Sequence, residues 1–289
     1  MAKLGKKQLT SDGRLVRADS AVYLRVAKLV ATHRRNPLLA GLYRATLYYR
    51  NCYNNFSYAM SSNGEAWLVN RVCELDNRPI LFDIGANVGD WSAVARSAAP
   101  KACIHCFEIL PDIGEMLSER FAGDPHVHVN QIGLLDEAGL ASIKSYSEEP
   151  ALSGLYDFPH DRNFTWLELP VTTGDAYCRA SEVPKIDLMK IDTEGSEHLI
   201  LAGFSETLFS HKVEVVQFEY GLASVQSKFL LADYYKLFYE MGYVVGKLYP
   251  NHVDFRDYDL WEDETFAGPN YVAVVKSRRD LVGKLGLSN

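Results

Sequence analysis

Three features of the sequence predict an α/β fold, a doubly wound and mostly parallel sheet preceded by a helical extension. Short apolar runs alternate with helical patterns from Pro79 onward, the first run ends in a glycine-bearing loop that opens a helix, and positive charge gathers at the N-terminal end. A chain of 289 residues with 47% apolar composition is long enough to bury one large core.

The extension occupies residues 1–62 and the main domain residues 63–289. Met1 to Arg44 holds ten Lys or Arg against two Asp, so the rest of the chain carries the acid behind the net charge of −7. Here "SAVYLRVAKLVATHRRNPLL", from Ser20 to Leu39, fits one helix. Val22, Val26, Leu29 and Val30 lie along one side, with Arg25, Lys28, Arg34 and Arg35 elsewhere. Such a helix either attaches to anionic lipid or a membrane-bound assembly, or packs its apolar side on the main domain. No run of about eighteen uncharged apolar residues occurs, and the first residues lack a secretory pattern. A cytoplasmic protein is therefore expected, at most peripheral to the inner face of the membrane. Cys52, Cys73, Cys103, Cys106 and Cys178 are scattered and odd in number, which reads as reduced thiols.

In the main domain "PILFDIGA", "ACIHCFEIL", "VHVNQIGLL", "IDLMKID" and "KVEVVQFEY" read as strands buried on both faces. "DWSAVARSAAP", "PDIGEMLSERFAG" and "SEHLILAGFSETLFS" between them read as helices. From Leu140 to Val171 the rhythm breaks, and "LASIKSYS" and "FTWLELPV" alternate like an exposed antiparallel pair. A late helix, "KFLLADYYKLFYEMGY", and closing strands "VVGKLY" and "YVAVVKS" complete the pattern.

Ligands of such a sheet bind at the carboxyl ends of the strands, where strand order reverses. The first strand delivers Asp83, Gly85, Ala86, Asn87 and Gly89 there, the second Glu108, the fourth Asp192 and Glu194, and the fifth Glu219. This rim is strongly acidic. A dinucleotide loop reads Gly-x-Gly-x-x-Gly, whereas Asn87 occupies the place of the second glycine and Asp83 stands before the first. That carboxylate repels phosphate, which counts against an NAD-linked sugar-modifying enzyme. Glu108 stands where a strand-two acid accepts hydrogen bonds from ribose hydroxyls. A nucleoside with a cationic end and no pyrophosphate meets these conditions. S-adenosylmethionine is such a ligand, and the glycines let its aminoacyl arm lie close to the backbone.

"FDIGANVGDWS", "CFEILP", "GLLDEAG", "LMKIDTEGSEHLILAG", "VVQFEY" and "GPNYVAV" resemble, in order and spacing, the FkbM family of S-adenosylmethionine-dependent methyltransferases, from about Gly64 to Ser277. The resemblance implies a class I methyltransferase (Rossmann-like) fold, with a seven-stranded sheet whose last strand is antiparallel. It also implies O-methylation of a hydroxylated small-molecule or glycan acceptor: a sugar, a glycan or a secondary metabolite. It places Asp83, Gly85, Ala86, Asn87 and Gly89 on the cofactor loop and Glu108 on the ribose. Ile109 stands where the family commonly has proline, and Ile132 to Leu134 replace a more usual alanine-bearing stretch; both flank the adenine position.

A hydroxyl becomes a good nucleophile through a base or a metal. Lys190 and Asp192 share one strand face by period-two alternation, ahead of a turn at Gly195. Asp192 is expected to contact the methionine end or act as the base, and Glu194 to orient the substrate. Glu219 is a second catalytic candidate. Together these acids also suit a divalent cation such as magnesium, held through oxygens. Glu194 and Glu197 equally fit a capping role in the first turn of the next helix, with Ser196 as cap.

Other signals weigh less. Cys103 and Cys106 of "CIHC" face opposite sides of a strand, so they cannot share a metal and read as core thiols. His160 and Arg162 of "PHDRNFTW" fit an acceptor-site loop or a solvated turn. Glu65, with Asn63, precedes the first strand where such enzymes close over the cofactor. The tyrosine-rich stretch from Leu47 to Trp67 suits sugar stacking or ordinary packing. An acidic main domain offers no track for a nucleic-acid backbone. The non-enzymatic alternative is a methyltransferase fold retained as an inactive binding or scaffold subunit; intact Asp83, Gly85, Glu108 and Asp192 count against it.

Overall fold

The computed structural model describes residues 7–9, 15–17, 20–156 and 163–287. Two short antiparallel strands, β1 (Lys7–Leu9) and β2 (Leu15–Arg17), come first. The apolar runs then form the parallel part of one large sheet: β3 (Ile80–Ile84), β4 (Cys103–Phe107), β5 (Val127–Asn130), β9 (Ile186–Ile191) and β10 (Val213–Glu219). β11 (Tyr243–Tyr249), β12 (His252–Phe255) and β13 (Asn270–Val275) complete it, in the order β12-β11-β13-β10-β9-β3-β4-β5. β13 runs antiparallel to both its neighbours. The sheet thus has eight strands where seven were expected, because the chain turns back after β11 and pairs β12 on the edge.

Every residue of β9 and β13 is buried, as strands covered on both faces require. Alternation divides each strand between two cores. Phe82, Met189 and Val216 pack with Phe204 and Phe238 on one face, while Leu81, Leu188 and Val215 pack with Trp91 and Val69 on the other.

"VHVNQIGLL" splits between two sheets. Its first half is β5, and Gly133–Leu134 is β6, which joins β7 (Gly139–Ser145) and β8 (Thr165–Thr172) in a separate three-stranded sheet. The expected antiparallel pair is β7 with β8.

The segment from Ser20 is two helices, Ala21–Thr32 and Pro37–Tyr53, rather than one. Asn36 ends the first possibility of continuity: its side chain accepts from the Leu38 N–H at 2.9 Å and Pro37 follows at the first helical position. Neither helix buries a residue. Val22, Leu29 and Leu38 are 73%, 58% and 84% exposed, so the reading in which this segment packs its apolar side on the main domain fails. Among the described residues no helix is long and apolar enough to cross a membrane.

Strand order reverses between β3 and β9. β4 and β5 lie to one side of that pair, β10 and the closing strands to the other. The carboxyl ends of β3 and β9 therefore frame the crevice in which ligands of such sheets bind.

Candidate active site

The ends of β3, β4, β9 and β10 open into one cavity of about 390 Å³. Its wall begins with the turn after β3, where Gly85 (φ 76°) and Asn87 (φ 49°) adopt left-handed backbone. A Cβ on Gly85 would fall 1.9 Å from the Asp192 carbonyl oxygen, and one on Gly89 2.6 Å from Leu117 and Phe121. The glycines therefore let the turn close onto β9 and onto the helix Pro111–Arg120. At both glycines protein occupies the space a side chain would need, and Gly85 also lines the cavity.

Glu108 braces the turn from β4. Its Oε2 accepts the Asn87 N–H and its Oε1 the Leu110 N–H, each at 2.9 Å. Burial pushes its carboxyl above the usual range, against the pull of these N–H groups. Gly85, Ala86, Asn87, Glu108, Ile109, Ile132 and Asp192 line the cavity; Asp83 and Gly89 do not. Asp83 is fully buried, takes a hydrogen bond from the Ser92 hydroxyl at 2.7 Å and lies 3.8 Å from Lys190 Nζ. From there it stands behind the cavity wall, beneath the turn it was expected to serve.

Asp83, Lys190 and Gln217 are register partners on β3, β9 and β10, so they form a polar row on one face. Lys190 donates to Asp192 Oδ2 at 2.9 Å. Gln217 donates to Glu65 Oε2 at 3.0 Å and to Asn270 Oδ1 at 2.9 Å. Asn63 and Asn270 complete the grip on Glu65, which thus sits buried and pinned in the cavity wall. Burial pulls the Lys190 ammonium down, but Asp192, Asp83 and Glu65 outweigh it and hold the group charged.

Above the row stand three acids. Asp192, Glu194 and Glu219 each offer an oxygen within 4.8 Å of the others. Asp192 is engaged by Lys190, whereas Glu194 and Glu219 form no side-chain hydrogen bond among the described residues. Burial, then Asp192 and Glu197, push the Glu194 carboxyl up to about 8. Burial and the neighbouring Asp192 and Glu194 raise Glu219 well above the carboxylate range. Tyr58 joins them from the extension: desolvation and then Glu219, Glu194 and Asp192 push its phenol up to about 12.

Glu197 does not cap the helix it begins; its carboxylate turns back to the preceding loop and accepts the Thr193 and Gly195 N–H groups at 2.9 and 3.2 Å. Ser196 makes no cap hydrogen bond; its hydroxyl donates to the Thr193 carbonyl at 3.1 Å. His160 and Arg162 lie outside the described residues. Tyr58, Gln217 and Asn270 are the members sequence reasoning missed. Gln217 leaves a trace there as an amide in the middle of an apolar strand, and Tyr58 lies within the tyrosine-rich stretch.

Several known proteins are similar to this chain. Hexuronic acid methyltransferase AglP of Haloferax volcanii is 26% identical over 150 residues, covering 52% of this chain and 59% of its own. 2-O-methyltransferase NoeI of Sinorhizobium fredii is 26% identical over 143 residues, with 45% and 59% covered. 31-O-demethyl-FK506 methyltransferase FkbM of Streptomyces tacrolimicus is 27% identical over 165 residues, with 46% and 62% covered. This chain thus spans about three-fifths of the length of the relatives it matches. The profile of the methyltransferase FkbM domain matches residues 83–245, from the acid beneath the turn to the middle of β11. More than half of the sequence lies within that match, and the chain belongs to the FkbM methyltransferase family.

Proposed function

We propose that residues 63–289 form a methyltransferase domain that uses S-adenosylmethionine to methylate a hydroxyl of a sugar, glycan or other secondary metabolite. The observation that carries this reading is the single cavity joining Glu108 to the acids of β9 and β10. The residues fit the cofactor. Glu108 is braced by two N–H groups and keeps acceptor capacity for ribose hydroxyls, Ile109 and Ile132 give apolar walls for a flat base, and the acids favour a cation. The bound cofactor supplies an electrophilic methyl carbon. Glu194, with its raised pKa, takes the acceptor proton; Asp192, fixed by Lys190, keeps negative charge beside it; and Tyr58 closes the rim. The relatives' names, a hexuronic acid, a 2-O and a 31-O methyltransferase, support a hydroxyl as the acceptor.

Calorimetry tests the cofactor. S-adenosylmethionine and S-adenosylhomocysteine both bind, NAD does not, and Glu108→Ala weakens the adenosyl ligands by about 1–3 kcal/mol. Binding of NAD alone would transfer the chain to nucleotide redox chemistry, and binding of none would leave a scaffold.

The convergence of three carboxylates within 4.8 Å favours a second reading, a divalent cation such as magnesium held by Asp192, Glu194 and Glu219. Such an ion would lower the pKa of the acceptor hydroxyl in place of a base. Chelator-treated enzyme distinguishes the two: activity restored by magnesium selects the ion, and activity indifferent to both chelator and magnesium selects the carboxylate.

We further propose peripheral attachment to anionic membranes through residues 1–44, supported by the exposed Val22, Leu24, Val26 and Leu29 beside Arg25, Lys28, Arg34 and Arg35. Each basic residue near such a surface contributes about 1 kcal/mol. The full chain should sediment with phosphatidylglycerol vesicles at low salt, and a variant with these four basic residues changed to Glu should stay in solution. Equal sedimentation of the two proteins would end this proposal.

A further inference from the structure

A second recess lies at the other edge of the sheet, by the amino ends of its strands, and its side chains take no part in the cleft just described. Cys103 and His105 alternate onto the same face of β4, and His105 is the register partner of His128 on β5. The two imidazoles stack with centroids 4.9 Å apart. Cys103 Sγ lies 3.4 Å from His105 Nε2, and the sulfur and one nitrogen of each histidine all fall within 4.8 Å of one another. The second nitrogen of His105, Nδ1, is 2.7 Å from the Tyr177 hydroxyl. That contact orients the ring and leaves Nε2 turned to the thiol, the arrangement by which an outer hydroxyl fixes a metal-binding histidine.

Cys106 is no part of this group, since it faces the other way, 3.1 Å from Ser92 Oγ. Cys103 was expected to be a core thiol. It is instead partly exposed in a recess shared with Ser181 and Glu182, which leaves an approach for an ion and room for a solvent ligand. One thiolate and two imidazoles suit a borderline or soft ion and disfavour magnesium or calcium.

We propose that Cys103, His105 and His128 form a transition-metal site, with zinc as its ion and water in the fourth position. On binding, the Cys103 S–H bond breaks, its proton leaves to solvent, and the sulfur forms the bond to the metal. The ion bridges β4 and β5, the strands that run on to Glu108 and to Ile132, and so braces the apolar side of the opposite cleft.

The test uses untagged full-length protein, stripped with chelator and titrated with cobalt(II). The expected result is a thiolate-to-cobalt charge-transfer band with tetrahedral visible bands, saturating at one ion per chain and displaced by zinc. Cys103→Ser removes the charge-transfer band. His128→Ala, at an exposed position, weakens zinc binding by at least about tenfold. Tyr177→Phe, which removes only the orienting hydroxyl, weakens it by about ten- to a hundredfold. Absence of the band, an equal band in Cys103→Ser, or unchanged zinc affinity in His128→Ala would each overturn the proposal.

Discussion

Replacing Glu194 with Gln lowers methyl transfer by about 10²–10⁴-fold, the range of a positioned general base, with little change in S-adenosylmethionine affinity. Gln keeps the length and shape of the side chain at a position whose backbone is left-handed (φ 54°), so the variant loses basicity with little disturbance of the turn. Glu194 rather than Asp192 is the proposed base because Lys190 already engages Asp192, whereas Glu194 is free of hydrogen bonds among the described residues and burial with Asp192 and Glu197 pushes its pKa up to about 8. In the free enzyme the Glu194 carboxyl is mostly protonated below that pH. The value of kcat/KM therefore rises as pH passes through about 8, and this rise is lost in the variant. A cation bound beside the carboxyl favours its ionised form, so kcat rises at lower pH than kcat/KM does. Full activity in Glu194→Gln would pass the base role to Glu219 or to a metal ion.

Lys190→Met destabilises the fold by about 3–5 kcal/mol, the penalty for removing one partner of a buried charge cluster. The side chain is 8% exposed and that of Asp83 wholly buried, so the Asp83 carboxylate has no solvent to replace the ammonium. The loss grows with pH. Without the ammonium, Asp83, which burial already pushes upward, keeps its proton in the folded state to higher pH than in the unfolded chain. A folded state that binds more protons loses stability as pH rises above the ordinary carboxylate range. Urea unfolding followed by tryptophan fluorescence at mildly acidic and mildly alkaline pH measures both effects. Adding Asp83→Asn to the variant should recover part of the loss, because it removes one of the orphaned charges. A small loss of under about 1 kcal/mol, independent of pH, would mean that the row holds no buried charge worth balancing.

What could be read from the sequence follows a physical division. The parallel strands were legible because burial on both faces demands unbroken apolar runs, and the acids at their ends because period-two alternation fixes which residues share a face. β12 escaped because its four residues alternate at an edge, and Asp254 within it interrupts any apolar run. That Asp83 stands behind the cavity wall was not legible, because an acid facing a cavity and one set behind it read alike in one dimension. Tyr58, Gln217 and Asn270 come from three distant segments and meet only after packing, and amides and phenols carry no spacing rule. The Cys103, His105 and His128 cluster depends on the pairing of β4 with β5, a register that a single sequence does not contain.

The surplus of carboxylates around Lys190 also bears on how turnover ends. Glu65, Asp192, Glu194 and Glu219 all border the cavity, with Lys190 as their one cationic neighbour on its wall among the described residues. Such a cleft discriminates by charge. S-adenosylhomocysteine lacks the sulfonium, so the spent cofactor meets weaker electrostatic attraction than the fresh one. On the proposed mechanism the chemistry itself discharges the ligand and loosens its hold, most of all above about pH 8, where Glu194 is ionised.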